Sequence, residues 1–252
     1  MGFACLSLTR GSRLERCSQG VGCATMAFVR AIFRWLLKAA LILFILFLAL
    51  VVLWAYVPPV STLMLARWVT FRPVERVWSP LASLGPQLPL AVIAAEDGRF
   101  CRHGGVDWGA LRQVLGEAGE DGPARGASTI AMQATKNLFL WPSRSALRKG
   151  LEIPAALVID RIWGKRRVME VYLSIAEWGE GLFGAEAAAQ RYFHKPAAQL
   201  TAREAALLVS ALPNPLRRDP ARPGAQQRRI AAAILRRMSA AKGLVDCLKT
   251  GD

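Results

Sequence analysis

The sequence predicts a mainly α protein in which a single N-terminal transmembrane helix precedes a helical domain. Three observations lead there. Residues 39–57, AALILFILFLALVVLWAYV, carry no charge. From Leu90 onward apolar residues recur at helical spacing between capping and breaking signals. Alternating apolar and polar runs, the mark of half-buried strands, are almost missing, and no internal repeat is present.

The uncharged run is 19 residues long. A helix of that length spans roughly 28 Å, close to the hydrocarbon thickness of a bilayer. Trp35 stands before it and Trp54 and Tyr56 near its end, as suits the two interfaces. A cleaved signal peptide would have an apolar core of about 7–15 residues and a small-x-small site. This run is longer and is followed by Pro58-Pro59, so it reads as an anchor. Before residue 39, six cations (Arg10, Arg13, Arg16, Arg30, Arg34, Lys38) face one acid, Glu15, a net +5. The positive-inside rule puts that end in the cytoplasm. Residues 1–25 show no periodicity and read as an unstructured leader, and Met26 opens a compact basic flank that would serve as an alternative start.

Of the 252 residues 53% are hydrophobic, which excludes a disordered polyelectrolyte, yet the formal charge is +15. The part beyond the helix keeps +10 of that charge. An exported basic domain tethered to a bilayer meets anionic head groups rather than nucleic acid. Five Cys are too few for a disulfide framework and two His too few for most zinc sites. Cys101 and Cys247 lie on the oxidising side and can pair, but free buried thiols are the favoured reading.

The expected organisation is a cytoplasmic basic leader (1–34), the transmembrane helix (35–57), a juxtamembrane arm (58–88), a catalytic domain (89–242) and a C-terminal tail (243–252). The arm is Pro-rich and reads as a linker whose Arg67, Arg72 and Arg76 meet head groups. Residues 90–100 begin the helical domain. A Gly-rich polar loop follows at 116–128, then a helix over 128–140 opened by Ser128 and ended by Pro142. Helices are expected over 145–163, kinked at Pro154, and over 165–176. Two more cover 185–193 and 201–212, the latter opened by the capping box Thr201-x-x-Glu204 and stopped by Pro213. A basic helix covers 222–242.

Some motifs are discarded. Gly179-x-Gly181-x-x-Gly184 has the spacing of a dinucleotide fingerprint, but a helical segment precedes it and residues 195–203 offer no acid. Ser239-x-x-Lys242 and Lys249-Thr250-Gly251 resemble pieces of a transpeptidase with no domain between them. Cys101-x-His103 has no second ligand pair.

Five segments carry the candidate chemistry: Glu96 to Gly105, Gly126 to Asn137, Arg148 to Glu152, Lys165 to Ser174 running into Gly184, and Leu207 to Pro215. Glu96 follows the apolar run Ala91–Ala95. A carboxylate at such an edge is partly desolvated, which suits it to proton transfer. Arg148 and Glu152 are i,i+4 and share a helix face. Lys136, Arg148 and Lys149 are cations in otherwise apolar helices and can clamp a pyrophosphate. Ser128 and Thr129 at a helix start add donors for an anion. The plainer reading is that such pairs are solvated surface pairs contributing about 0–1 kcal/mol, with Asp97 and His103 holding a loop.

The five segments resemble glycosyltransferase family 51, the peptidoglycan polymerases. The family's motifs run E-D-x-x-F-x-x-H-x-G, G-x-S-T-x-x-Q-Q-x-x-K-N, R-K-x-x-E, K-x-x-I-L-E-x-Y-L-N and a late L-P-N-P, and all five occur here in that order across residues 90–215. Met132, Met169 and Ser174 depart from the usual Gln, Leu and Asn. The resemblance implies a lysozyme-like helical glycosyltransferase domain. The chain ends soon after the fifth segment, so no transpeptidase activity is expected.

What the resemblance implies about chemistry is specific. Lipid II is polymerised into linear glycan strands, with inversion at the anomeric carbon and release of undecaprenyl pyrophosphate. Glu96 takes the proton of the acceptor hydroxyl. Lys136, Arg148 and Lys149 receive the pyrophosphate, with or without a divalent cation such as Mg2+ or Mn2+, for which no ligands are assigned. Glu152 orients those cations, holds a metal, or steadies oxocarbenium character. Ser128, Thr129, Gln133 and Asn137 bind substrate, and Asp97, Phe100 and His103 are structural. Inverting glycosidases hold their two carboxyls roughly 6.5–9.5 Å apart, so by analogy Glu96 and Glu152 face across a cleft without touching. The implied partners are lipid II, the growing lipid-linked strand, membrane lipids, and cell-wall or division proteins, but no nucleic acid. The implied place is the bacterial inner membrane, with the domain periplasmic. Two rival readings are a membrane-anchored lytic enzyme with a lysozyme-like fold, which would need no pyrophosphate clamp, and a non-catalytic scaffold.

Overall fold

The computed structural model describes residues 12–116, 128–141, 145–240 and 242–249. The loop expected over 116–128 lies outside them but for its two ends, as does Pro142. The chain divides into two units, Met1–Val52 and Leu53–Asp252.

Helix α1 runs Ser12–Tyr56 and so begins inside the stretch expected to be an unstructured leader. Its segment Phe28–Tyr56, whose most apolar 18 residues have a mean hydropathy of 3.0, is long and apolar enough to cross a membrane. Leu41 to Leu46 are all exposed, an apolar surface that fits a membrane anchor.

The second unit holds, in order, α2 (Thr62–Val69), β1 (Glu75–Arg76), α3 (Gln87–Glu96), α4 (Trp108–Gly116), α5 (Ile130–Phe139), α6 (Ala146–Ile175), β2 (Glu177–Gly179), β3 (Leu182–Phe183), α7 (Ala185–Phe193), α8 (Ala202–Val209) and α9 (Ala225–Ala240). The mainly α expectation holds. Helix α3 is apolar between its ends and is therefore buried, with Leu88, Val92 and Ile93 fully enclosed. It packs on α8 and α9, while α5 lies along α6. The capping box at α8 forms as expected: Glu204 N donates to Thr201 Oγ1 at 3.3 Å and Thr201 N to Glu204 Oε2 at 2.8 Å.

Several expectations change. The break in α6 falls at Gly164 (φ 66°, ψ 170°), between the two helices expected over 145–163 and 165–176, while the kink expected at Pro154 leaves no non-helical backbone there. A proline ring presses on the carbonyl four residues back. Here that residue is the exposed Gly150, and Pro154 stays inside the helix. The stretch read as a linker is structured, with Met64 and Leu84 in the core. Arg67 pairs with Glu177 at 2.9 Å, and Arg76 donates to Pro59 O at 2.6 Å while lying over the Trp78 ring. Of the three arm arginines expected to meet head groups, Arg72 alone is exposed. Beside it the arm exposes large apolar residues: Leu65, Trp68, Val69 and Phe71, the last 96% exposed.

A three-stranded sheet of order β1-β3-β2 was not expected. Strand β3 pairs parallel with β1 and antiparallel with β2. Strands of two or three residues are too short to show alternation. The glycine motif serves this sheet. Gly181 has φ +69° and Gly184 φ +90°, and a Cβ on either would come 2.6 Å from the carbonyl oxygen of Pro73 or Val77. The glycines let the arm lie against the β2–β3 hairpin. Cys101 and Cys247 form a disulfide, Cα atoms 5.6 Å apart, which overturns the free-thiol reading. The pairing follows from the 3₁₀ turn Lys242–Leu248 packing back on the 3₁₀ turn Phe100–Arg102, a long-range contact that spacing does not reveal.

Candidate active site

Burial of α3 carries its last residue, the half-buried Glu96, to the edge of the core. The next residue, Asp97, leaves the helix with φ −156° and is buried. Its Oδ1 bonds His103 Nε2 at 2.9 Å, and its Oδ2 accepts from Ile130 N at 3.1 Å. One carboxylate thus holds the loop after α3 and satisfies a free donor at the positive end of α5. Phe100 is fully enclosed, with Lys165 Nζ 4.7 Å from its ring centre. A Cβ on Gly105 (φ +88°) would come 2.6 Å from Ala156 O, so only glycine lets this loop lie on α6.

Thr129, not Ser128, caps α5. Its hydroxyl accepts from Met132 N at 3.2 Å and donates to Gly105 O at 2.5 Å. That hydroxyl is occupied by the fold, which leaves no proton of it for a substrate. Ser128 is thereby free of capping, and Lys149 Nζ donates to its Oγ at 2.7 Å.

Helix α6, capped by Ser145, places Arg148, Lys149 and Glu152 on one face. Glu152 is 2% exposed and accepts from Arg148 Nη1 at 2.6 Å and Lys149 Nζ at 2.8 Å. On α5, Lys136 feels the charges of the same group. Burial lowers its ammonium from the ordinary lysine value. Glu152 raises it, Arg148 and Lys149 lower it again, and Glu96 raises it. Lys136 is thus within electrostatic reach of both carboxylates. It has no ion-pair partner among the described residues, unlike Arg148 and Lys149.

Gln133 is also on α5. Its Nε2 donates to Glu96 Oε2 at 2.9 Å, and its Oε1 accepts from Tyr172 Oη at 3.1 Å. Asn137 receives Thr62 Oγ1 on its backbone oxygen at 3.1 Å. Met132 and Ser174, two departures from the family pattern, are buried and do not line the cleft.

A cleft of about 180 Å³ is lined by Glu96, Asp97, Gly98, Arg99, Asp107, Ala110, Ser128 and Thr129. Ser128 links this cleft to the cation cluster: it lines the cleft with Glu96, and through Lys149 it connects to Glu152, which does not itself line the cleft. Among the described residues no three His, Cys, Asp or Glu side chains gather as a cation cage. Glu152 already receives two cations, so these side chains do not by themselves fit a divalent metal ion.

Two residues of this site were missed in the sequence. Tyr172 lies within the fourth segment but was given no role. Its signal was a phenol in an otherwise apolar helical stretch. Asp107, which lines the cleft and pairs with Arg99 (Nε–Oδ2 2.7 Å), gave no signal in spacing.

A helical domain that sets Glu96 in a small cleft and joins that cleft through Ser128 to a cluster of Lys149, Glu152 and Arg148 is equipped for group transfer with an anionic leaving group. Comparison with known proteins agrees. Residues 64–239 match the transglycosylase family model. A biosynthetic peptidoglycan transglycosylase of Brucella suis biovar 1 is 52% identical over 203 residues, covering 81% of this chain and 91% of that one. Proteins of the same name from Agrobacterium fabrum (51% over 193 residues, 77% and 85% covered) and Rhodospirillum centenum (50% over 208 residues, 81% and 90% covered) are similarly close. The chain belongs to this family, the peptidoglycan transglycosylases, which are glycosyltransferases acting on lipid II.

Proposed function

We propose that this chain polymerises lipid II with Glu96 as the base and Lys136, Arg148 and Lys149 as the receiver of the pyrophosphate. The 4-hydroxyl of the acceptor GlcNAc gives its proton to Glu96. Its oxygen forms the new bond to the anomeric carbon of the lipid-linked strand. The bond from that carbon to the pyrophosphate oxygen breaks, and the electron pair leaves with undecaprenyl pyrophosphate. The α-linked donor becomes a β-1,4 link. Charge grows on the leaving oxygen, where fixed cations stabilise it more than they stabilise the ground state.

Lys136 carries this reading. A half-buried ammonium without an ion-pair partner among the described residues, in reach of both carboxylates, is a cation held for an anion that comes and goes. Of the roles open to Glu152, orienting cations fits its bonds to Arg148 and Lys149 best. The Thr129 hydroxyl and the Gln133 amide act through the fold, and Ser128 and Asn137 remain the polar groups for substrate. A lytic enzyme, cutting within a glycan strand, would expel no pyrophosphate and need no such cluster.

Both substrates carry long lipid tails, so the site works at a bilayer. The apolar tip Trp68, Val69 and Phe71 supports contact of the arm with lipid. The cationic flank before residue 39 supports a cytoplasmic N-terminus in the inner membrane, and the Cys101–Cys247 bond suits a periplasmic domain. Cell-wall or division proteins are the further partners proposed. The test is incubation of the purified full chain with labelled lipid II in detergent. Linear polymer without cross-links supports the reading, and unchanged lipid II contradicts it.

A further inference from the structure

We infer that Tyr172 is a positioning residue for the base: its phenol fixes the Gln133 amide, and the amide fixes the Glu96 carboxylate. Three helices meet in this relay. Tyr172 on α6 donates to Gln133 Oε1 on α5 at 3.1 Å, and Gln133 Nε2 donates to Glu96 Oε2 at the end of α3 at 2.9 Å. The order of donors is forced by chemistry. An ionised carboxylate only accepts, so the amide must present its NH2 to Glu96. The opposite amide orientation would set two oxygens face to face. A phenol donating to Oε1 adds a second bond to the orientation that the carboxylate requires.

Tyr172 is 2% exposed and too enclosed to meet a substrate. Its burial and the nearby Glu96 charge push the phenol well above its ordinary value, so it remains a proton donor throughout the working range. Gln133 occupies Oε2, and Oε1 of Glu96 has no hydrogen-bond partner among the described residues. The relay therefore leaves one carboxylate oxygen for the incoming hydroxyl and holds it in one orientation.

This inference rests on Glu96 being the base, and the experiment separates the two. Full-length wild type, Tyr172→Phe, Gln133→Leu, the double variant and Glu96→Gln are compared with labelled lipid II. Phenylalanine keeps the ring and removes only the donor. The relay predicts that Tyr172→Phe lowers kcat about tenfold, the worth of one hydrogen bond to a charged system, with KM within about twofold. Gln133→Leu, at a half-buried position, loses at least as much in kcat, and the double variant loses no more than Gln133→Leu alone. A wild-type kcat in Tyr172→Phe, a loss confined to KM, or additive losses overturn the relay. Were Tyr172→Phe poorly folded by thermal unfolding, a wild-type kcat in Gln133→Leu would overturn it equally. Inactive Glu96→Gln beside a normal Tyr172→Phe removes the relay alone. Near-normal Glu96→Gln removes the base assignment and the relay with it.

Discussion

Lys149 is bonded to Glu152: its ammonium lies 2.8 Å from Oε1 of that buried carboxylate while also donating to Ser128 at 2.7 Å. With Arg148 on the other oxygen, Glu152 is a buried anion compensated on both sides. Removing one partner of a buried pair leaves uncompensated charge, which costs about 3–5 kcal/mol. Glu152→Gln is therefore expected to lower the unfolding temperature markedly and to abolish polymerisation. Thermal unfolding beside the polymerisation assay checks both, and a variant of unchanged stability would contradict the pairing.

Thr129 and Ser128 are neighbours with different duties, and a pair of substitutions separates them. Thr129→Val loses the helix cap and the bond to Gly105 O, an expected cost of about 1–2 kcal/mol. Ser128→Ala leaves the cap intact and is expected to stay within about 0.5 kcal/mol of wild type. Urea unfolding of the two reads the difference, and equal costs would return the cap to Ser128.

The sequence made this region legible only in part. The five segments named both carboxylates and all three cations, because charged residues in apolar helices stand out one by one. Spacing also found the i,i+4 pair Arg148–Glu152. What it missed is long-range. A Ser-Thr pair before a helix offers two caps, and the choice depends on Gly105, 24 residues away. Gln133 read as a substrate donor because Tyr172, on another helix, was not seen to hold it. Arg67 and Arg76 read as head-group contacts until Glu177 and Pro59 were found beside them. The strands escaped because two residues carry no period, and the disulfide, named as one possible pairing, was not the favoured reading because its cysteines are 146 positions apart.

Lys136 gives a pH dependence with a definite sign. Its ionisation is lowered below the ordinary 10.5 in the folded chain, chiefly by burial. Between that lowered value and 10.5 the unfolded chain binds more protons, so this group's contribution to stability rises with pH across the window. Donor affinity falls across the same window as the ammonium is lost. Lys136→Met is expected to bind the pyrophosphate-bearing donor about ten- to a hundredfold more weakly and to unfold no earlier than wild type. Titration of donor binding against pH checks this, and an unchanged affinity would remove Lys136 from the clamp.

The disulfide closes a loop of 146 residues. In the chain-entropy account such a loop contributes up to about 5 kcal/mol. Cys247→Ser, or reduction of the wild type, is expected to lower the unfolding temperature, the reductant having no further effect on the variant. A wild-type melting curve indifferent to reductant would contradict the bond.

The most direct test of the whole account is Glu96→Gln, assayed for lipid II polymerisation and, separately, for donor binding. The substitution keeps the shape of the side chain and removes its capacity to take a proton. The account predicts no polymer and undiminished binding of the lipid-linked donor. Polymer made at a near-normal rate would contradict it.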